Sequence, residues 1–451
     1  MLVHATSLFA DHFRGSTIYL SALNDTYRGG MANPALIRHN QAQFQKSVVE
    51  LCPGVWTAVG YAASTQHMIE GQGTVTIVDT SESTAAAANV LAEFRKLSTK
   101  PVGRIIYTHS HRDHISGTTV FSEGLDVPIL ACAEFSSDLV DSDSNSESSI
   151  SPTKALSRRT QAQFGFGLSS DQRVSLGCGP GDRPMEGMGA GHIPPNQLID
   201  GDTDIDLDGV RAKLIMAPGE TADHMVVWLP EHEVLIPGDN WYHAFPNLYA
   251  IRGTPYRDFG AWADSLALLE QLKARVLAPG HTMPVFGADK VQEVLSSTRL
   301  AILHVMRHTA DGMDAGMSMD DIAATITLPE AIADKPWLGE FYGKASWSTR
   351  AYSAGTLGWY DGNPTHLGTL SSLDRAQQMA RLAGGVSALK LAAENTDDLQ
   401  WRMELCDHLM ALGEPVKFLK AATMEALAEL EINATARNTY LWEAKRLRDQ
   451  G

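Results

Sequence analysis

The spacing of apolar residues changes character near residue 290. Before it, short runs of branched and aromatic residues are separated by Gly, Pro and Asp. The runs at 75–78, 105–107, 214–216, 225–229, 234–236 and 276–278 read as buried strands, being short, β-branched and bounded by turn residues. After residue 290 the apolar positions recur at helical spacing over 291–311, 319–326, 373–383, 386–394, 397–412, 415–430 and 434–448. That pattern predicts amphipathic helices packed in pairs. The change of period divides the chain into an N-terminal arm (1–50), an α/β domain (51–290) and an all-α domain (291–451). A further helix is expected over 262–272, capped by Asp258.

Two stretches lack any period. Residues 141–152 read DSDSNSESSISP, and 177–201 hold, beyond Gly177, six further glycines and four prolines. Both are expected to be surface loops and are candidates for lids over a site.

Polar residues with metal-binding chemistry follow the strands. Asp79 follows the first, His109-Ser110-His111-Arg112-Asp113-His114 the second, Glu220 the third, Asp239 the fifth and His281 the last. With 16 histidines in 451 residues, such an H-x-H-x-D-H run arises by chance on the order of once in a thousand sequences. In extended backbone His109 and His111 point the same way and can grip one ion, while Asp113 and His114 on the following turn can grip another. Four side chains do not close two coordination shells, and Glu220, Asp239 and His281 are the best remaining candidates. Each ends a Pro-Gly-ligand triplet (218–220, 237–239, 279–281), a tight turn that presents a side chain beyond a buried strand. His224 is an alternative to Glu220. Imidazole and carboxylate together suit zinc, iron or manganese.

Composition narrows the class. The 53 acidic against 36 basic residues give a formal net charge of -17, which excludes nucleic acid and anionic membrane surfaces as partners and leaves a small anionic substrate possible only through local cations. Four scattered cysteines show neither CxxC spacing nor a disulfide framework. No apolar run is long enough to span a bilayer, and the first residues lack a signal-peptide pattern, so a cytoplasmic location is expected.

From about residue 51 to 285 this arrangement resembles the metallo-β-lactamase superfamily, which implies an αββα sandwich with two divalent ions, zinc before iron or manganese, at one edge. The resemblance implies that Asp239 bridges the ions, that His109, His111 and Glu220 complete one site, and that Asp113, His114 and His281 complete the other. Asp79 would orient a ligand from behind. Many members carry His where Glu220 stands, so this site is harder and more anionic than usual.

The remaining motifs narrow the resemblance to the alkylsulfatases. Phe341-Tyr342-Gly343, the run 357–364 (LGWYDGNP), the helix at 319–328 before Pro329 and Asn438-Thr439-Tyr440-Leu441 resemble that family's helical dimerisation domain. Ser157-Arg158-Arg159, Asn247-Leu248-Tyr249, Arg252-Gly253 and Arg257-Asp258 resemble its motifs in the first part. The implied activity is hydrolysis of primary or secondary alkyl sulfate esters, with a metal-bridging hydroxide as nucleophile, no assigned side-chain acid, and attack at either carbon or sulfur. Asn247 and Arg252 would hold the sulfate, with Arg257 a further candidate, and the helical domain would form a homodimer.

Two departures bear on substrate. Ser346-Trp347-Ser348 stands where many alkylsulfatases carry Ser-His-Asn, and the chain ends where the family usually adds a sterol-carrier-like domain. These keep a lactonase or phosphodiesterase as the alternative. Trp337, Trp359 and Tyr360 are expected in the core or along a lipophilic wall.

Overall fold

A computed structural model of the chain describes residues 32–137 and 152–449. The Ser/Asp run thus lies outside the described residues except for Pro152. Two sheets form the frame. The first has seven strands in sequence order: Ser47–Cys52 (β1), Val55–Val59 (β2), Gln66–Glu70 (β3), Val75–Val78 (β4), Val102–Ile106 (β5), Ile129–Cys132 (β6) and Gln197–Ile199 (β7). Pairing is antiparallel from β1 to β4 and parallel from β4 to β7. The second has six: Thr203–Asp206 (β8), Arg211–Met216 (β9), Met225–Leu229 (β10), Val234–Ile236 (β11), Val276–Leu277 (β12) and Val285–Phe286 (β13). Only β11 and β12 run parallel in it.

Side-chain alternation along these strands builds three apolar layers. Ile69, Val78 and Ile106 of the first sheet meet Leu214, Val227 and Ile236 of the second in the layer between the sheets. Their neighbours Met68, Ile77 and Ile105 face outward and pack on Val90 and Phe94 of helix Thr84–Phe94. On the other side Val226 and Leu235 pack on Trp262, Leu266 and Leu269 of helix Phe259–Gln271, and on Val294, Ile302 and Val305 of helix Ala288–Asp314. Helices therefore cover both outer faces, giving the expected αββα order. The Phe259 helix starts where expected: the Asp258 carboxylate accepts from the Ala261 N–H.

The chain forms two compact units, 33–368 with 432–439, and 369–431 with 440–449 among the described residues. The change of apolar period at residue 290 does not coincide with this division, because the helix beginning at Ala288 buries its apolar face in the same core as β10 and β11. At the other end, β1 begins at Ser47, and helix Pro34–Gln43 precedes it.

The second unit consists of helices. Helices Ser372–Ala383, Val386–Asn395 and Leu399–Ala411 share a core of Ala380, Leu389, Ala393, Leu405, Cys406 and Leu409. Helix Lys417–Leu430 contributes Ala421 and Met424 to a smaller cluster with Ala444 and Leu447. Leu382, Leu391, Phe418 and Leu430 are exposed on this unit. No helix among the described residues is long and apolar enough to cross a membrane.

Candidate metal centre

The loops after β4, β5, β9, β11 and β12 converge; the β5 loop delivers His109, His111, Asp113 and His114, and each of the others one polar group. After β5 the backbone at His111 is extended, and a one-turn helix, Arg112–Ile115, follows, so the run splits as its spacing predicts. The His109 Nε2 and His111 Nδ1 atoms lie 3.0 Å apart, facing Asp239 Oδ2 at 3.6 Å from His109 and Glu220 Oε1 at 3.9 Å from His111. On the other side His114 Nε2 approaches Asp239 Oδ1 (3.3 Å) and Asp113 Oδ2 (3.6 Å), while His281 Nε2 approaches Asp239 Oδ2 (3.1 Å) and Asp113 Oδ2 (3.4 Å). All seven residues singled out in the sequence are thus brought together. Asp239 faces both halves.

The donors fall into two groups able to hold a cation, His109 with His111 and Asp239, and Asp113 with His114 and His281. A tetrahedral shell with bonds near 2.0–2.1 Å has donor–donor edges of about 3.3 Å, and the separations above bracket that length. His114 Nε2, Asp239 Oδ1 and Glu220 Oε2 are buried without a hydrogen-bond partner. Buried polar atoms are seldom left so, and two of these, His114 Nε2 and Asp239 Oδ1, lie 3.3 Å apart. The donor set suits divalent metal ions.

Groups behind the donors fix their orientation. Asp79, at φ 60°, accepts from the Thr108 N–H and hydroxyl (both 2.8 Å) and contacts His114 Nδ1 at 2.7 Å, which turns Nε2 inward. His281 Nδ1 donates to the Ala63 carbonyl at 2.8 Å. His224 is engaged elsewhere: its Nε2 accepts from the Asp239 N–H at 3.0 Å, and its ring stacks on His109. Its lone pair holds the backbone of Asp239, leaving Glu220 as the residue of that pair whose side chain faces His111.

Electrostatics follow from burial and crowding. Burial, then the neighbouring His114, holds His109 well below the ordinary imidazole range; burial with Arg252 and Arg257 does the same to His111. Burial would lower His281 too, but Asp239 lifts it to about 9. Burial raises the Asp239 carboxyl, but His114, His281 and His109 outweigh it and hold it well below the usual carboxylate range. Burial pushes Glu220 up to about 7 against the pull of Arg257.

Arg257 is the surprise. Its Nη1 lies 2.8 Å from Glu220 Oε1 and also donates to the Asn247 carbonyl, with both charged side chains nearly inaccessible. One guanidinium nitrogen is therefore committed to a site residue, while Nε and Nη2 are buried without a hydrogen-bond partner. Arg252 keeps Nη1 unpartnered, with its backbone N–H on Gln163 and its guanidinium 5.7 Å from the Phe164 ring. Asn247 is buried, its N–H on the Tyr242 hydroxyl. Arg159 binds the Ile251 carbonyl and Tyr249 hydroxyl, and Asn438 binds the Gln163 and Ser175 carbonyls, so motifs far apart in sequence meet here.

The apolar wall is not the expected one. Trp337 lies in the core with its indole N–H on Ser297, Trp359 is 73% exposed with the half-buried Tyr360 edge-on to it, and Trp347 is half-buried beside Lys344. Instead Ala63, Leu176, Cys178, Tyr242, Ala244 and Tyr342 form a buried cluster, and the Tyr242 ring stands edge-on to His281 at 6.0 Å. Of these residues only Tyr342 belongs to a motif singled out in the sequence. The Gly-rich segment is not a free lid either: Glu186 and Gly187 carbonyls accept from Ala85 and Thr84 N–H groups, and Ser83 Oγ donates to Pro184 O.

The glycines of the triplets are required by close approach. Gly238 has φ 53°, and a Cβ there would lie 2.6 Å from His224; at Gly280 it would lie 2.4 Å from Asp239 Oδ1 and 2.9 Å from the Gly238 carbon. Gly280→Ala is expected to displace the Asp239 carboxylate, lowering bound metal per chain while costing about 1–3 kcal/mol of stability. Metal analysis at fixed free zinc, beside thermal unfolding of the metal-free protein, checks this; unchanged metal content would contradict it.

Two family models match the chain: the metallo-beta-lactamase superfamily over residues 60–281 and alkyl sulfatase dimerisation over 318–450. A linear primary-alkylsulfatase of Pseudomonas sp. is 33% identical over 389 residues, covering 84% of this chain and 73% of the relative. An alkyl/aryl-sulfatase, BDS1, of Saccharomyces cerevisiae is 29% identical, covering 92% and 66%. A solved structure, the stereoselective inverting sec-alkylsulfatase Pisa1 from Pseudomonas sp., superposes with a TM-score of 0.82 at 28% identity, covering 94% of this chain and 69% of that one. The chain thus spans about two thirds to three quarters of these relatives' length. With a relative one third identical across most of both chains, and the two models falling on the sandwich and on the helical segment, the chain belongs to the alkylsulfatase family of the metallo-beta-lactamase superfamily.

Proposed function

We propose that this protein hydrolyses primary or secondary alkyl sulfate esters to an alcohol and inorganic sulfate, using two zinc ions. His109, His111 and Glu220 hold one ion, Asp113, His114 and His281 the other, with Asp239 between them. The observation that carries this reading is Arg252, whose Nη1 is buried without a hydrogen-bond partner and whose charge helps lower the His111 imidazole, in a chain of strongly negative overall charge. A cation kept beside two metal-donor groups is a seat for an anion. When bound, the ions supply the charge that acidifies water and neutralises an anionic ester.

The chain's own residues do the rest. Arg252 and Asn247 orient the sulfate, Arg257 holds Glu220, and Asp79 and the Ala63 carbonyl fix the imidazoles of His114 and His281. Residues 51–290 carry the chemistry, and the helical segment after them pairs two chains into a homodimer; exposed Leu382, Leu391, Phe418 and Leu430 supply apolar surface for it. A cytoplasmic location accords with four free cysteines.

A lactonase or phosphodiesterase is the second reading, favoured by Trp347 in place of the family's His. The test is zinc analysis with a sulfate-release screen on short, secondary and steroid sulfates, run beside lactone and phosphodiester panels. Light scattering should give twice 48.9 kDa. A zinc-loaded protein that turns over a lactone or phosphodiester but releases no sulfate sinks the first reading.

A further inference from the structure

The turn between β2 and β3 touches two arms of the metal centre, the loops after β5 and β12. Ser64 Oγ donates to the Asp113 carbonyl, Thr65 Oγ1 to the Pro279 carbonyl, and the Thr65 N–H to the Gly280 carbonyl at 2.7 Å. The Ala63 carbonyl accepts from His281 Nδ1 at 2.8 Å. A carbonyl only accepts, so Nδ1 must carry a proton and Nε2 is the atom left to face Asp113 and Asp239.

What holds Ala63 is a buried ion pair distant in sequence. Both Glu82 oxygens accept from the Ala63 N–H, at 3.1 and 2.9 Å, and Arg183 Nε donates to Glu82 Oε1 at 2.7 Å. The side chains of Arg183 and Glu82 are 3% and 4% exposed. Arg183 comes from the Gly-rich segment, which lies so close that a Cβ at Gly179 would meet Ala63 O at 2.6 Å. A buried ion pair seldom stabilises a fold beyond an apolar pair of the same volume. Its geometric effect here is specific: it fixes the peptide that in turn fixes one imidazole.

We propose that Arg183 is a positioning residue which, through Glu82 and the Ala63 peptide, sets His281 and thereby the affinity of the Asp113–His114–His281 half of the centre. The proposal rests on the two-ion reading above. Partners behind metal ligands typically change metal affinity 10- to 100-fold when removed, and only one of the two halves has this support.

Zinc titration of the metal-free full-length protein tests it. The double variant Glu82→Leu/Arg183→Met replaces the ion pair by apolar side chains and leaves no lone buried charge. It should bind one equivalent as the wild type does and the other roughly 10- to 100-fold more weakly. The slowly exchanging His281 Nδ1–H proton signal should be lost in the same variant. Arg183→Lys keeps the charge pair but not the directed Nε contact, and should weaken the same equivalent roughly threefold. Two equivalents bound with wild-type affinity in both variants, or an equal loss of both equivalents, would overturn the proposal; unchanged affinity in Arg183→Lys does so even where the double variant fails to fold. Wild-type protein binding fewer than two equivalents would instead overturn the two-ion reading, and this inference with it.

Discussion

Asp239→Ala is expected to leave less than about one thousandth of wild-type turnover on any sulfate ester the protein hydrolyses. Its two oxygens lie 3.1–3.6 Å from His109, His114 and His281, so it is the carboxylate common to both donor groups. Removing it takes a negative charge from two sites at once, and loss of metal-derived stabilisation of several kcal/mol corresponds to about three orders of magnitude in rate. The Asp113 carboxylate lies by His114 and His281 of one donor group, so Asp113→Ala should cost one ion where Asp239→Ala costs both. Metal content and kcat measured on the same preparations separate the cases. An Asp239→Ala protein that keeps two ions per chain and a tenth of the activity would refute the shared role.

Arg252→Ala is expected to lower kcat/KM for sulfate esters roughly 10- to 100-fold, from the ~1.5–3 kcal/mol that a hydrogen bond to a charged group contributes. The effect should fall mainly on KM, and an uncharged lactone, if turned over at all, should be little affected. Arg257→Ala should behave differently. Its guanidinium is bound to Glu220, so its loss strands a buried carboxylate and should lower metal affinity and turnover of every substrate together. Parallel kinetics on a sulfated and an uncharged substrate distinguish the two arginines. Equal losses on both substrates in Arg252→Ala would remove it from sulfate recognition.

The parts of the site legible in the sequence were those set by local geometry. His109 to His114 are consecutive, and the Pro-Gly triplets place Glu220, Asp239 and His281 by turn chemistry alone. The turn argument favours Glu220 over His224, four residues on, but does not show what occupies His224, because its partner is the backbone N–H of Asp239, fifteen residues further along. Ala63, Glu82 and Arg183 were invisible: Ala63 acts through its peptide group, and its partners lie 19 and 218 residues away. Strands β2 and β3 escaped the apolar pattern because Thr57, Gln66 and His67 are buried polar residues that break it. The helix at 288–314 was found, but whether its apolar face completes the sandwich or opens a new body is decided only by tertiary packing.

The seven donors come from loops after strands of both sheets, between residues 109 and 281, and no two neighbouring loops in sequence complete either half. Closing such long segments is entropically costly and slow. The complete pocket therefore needs both sheets in place, and cation uptake is expected to follow folding rather than nucleate it. Zinc supplied after refolding should restore as much activity as zinc present throughout.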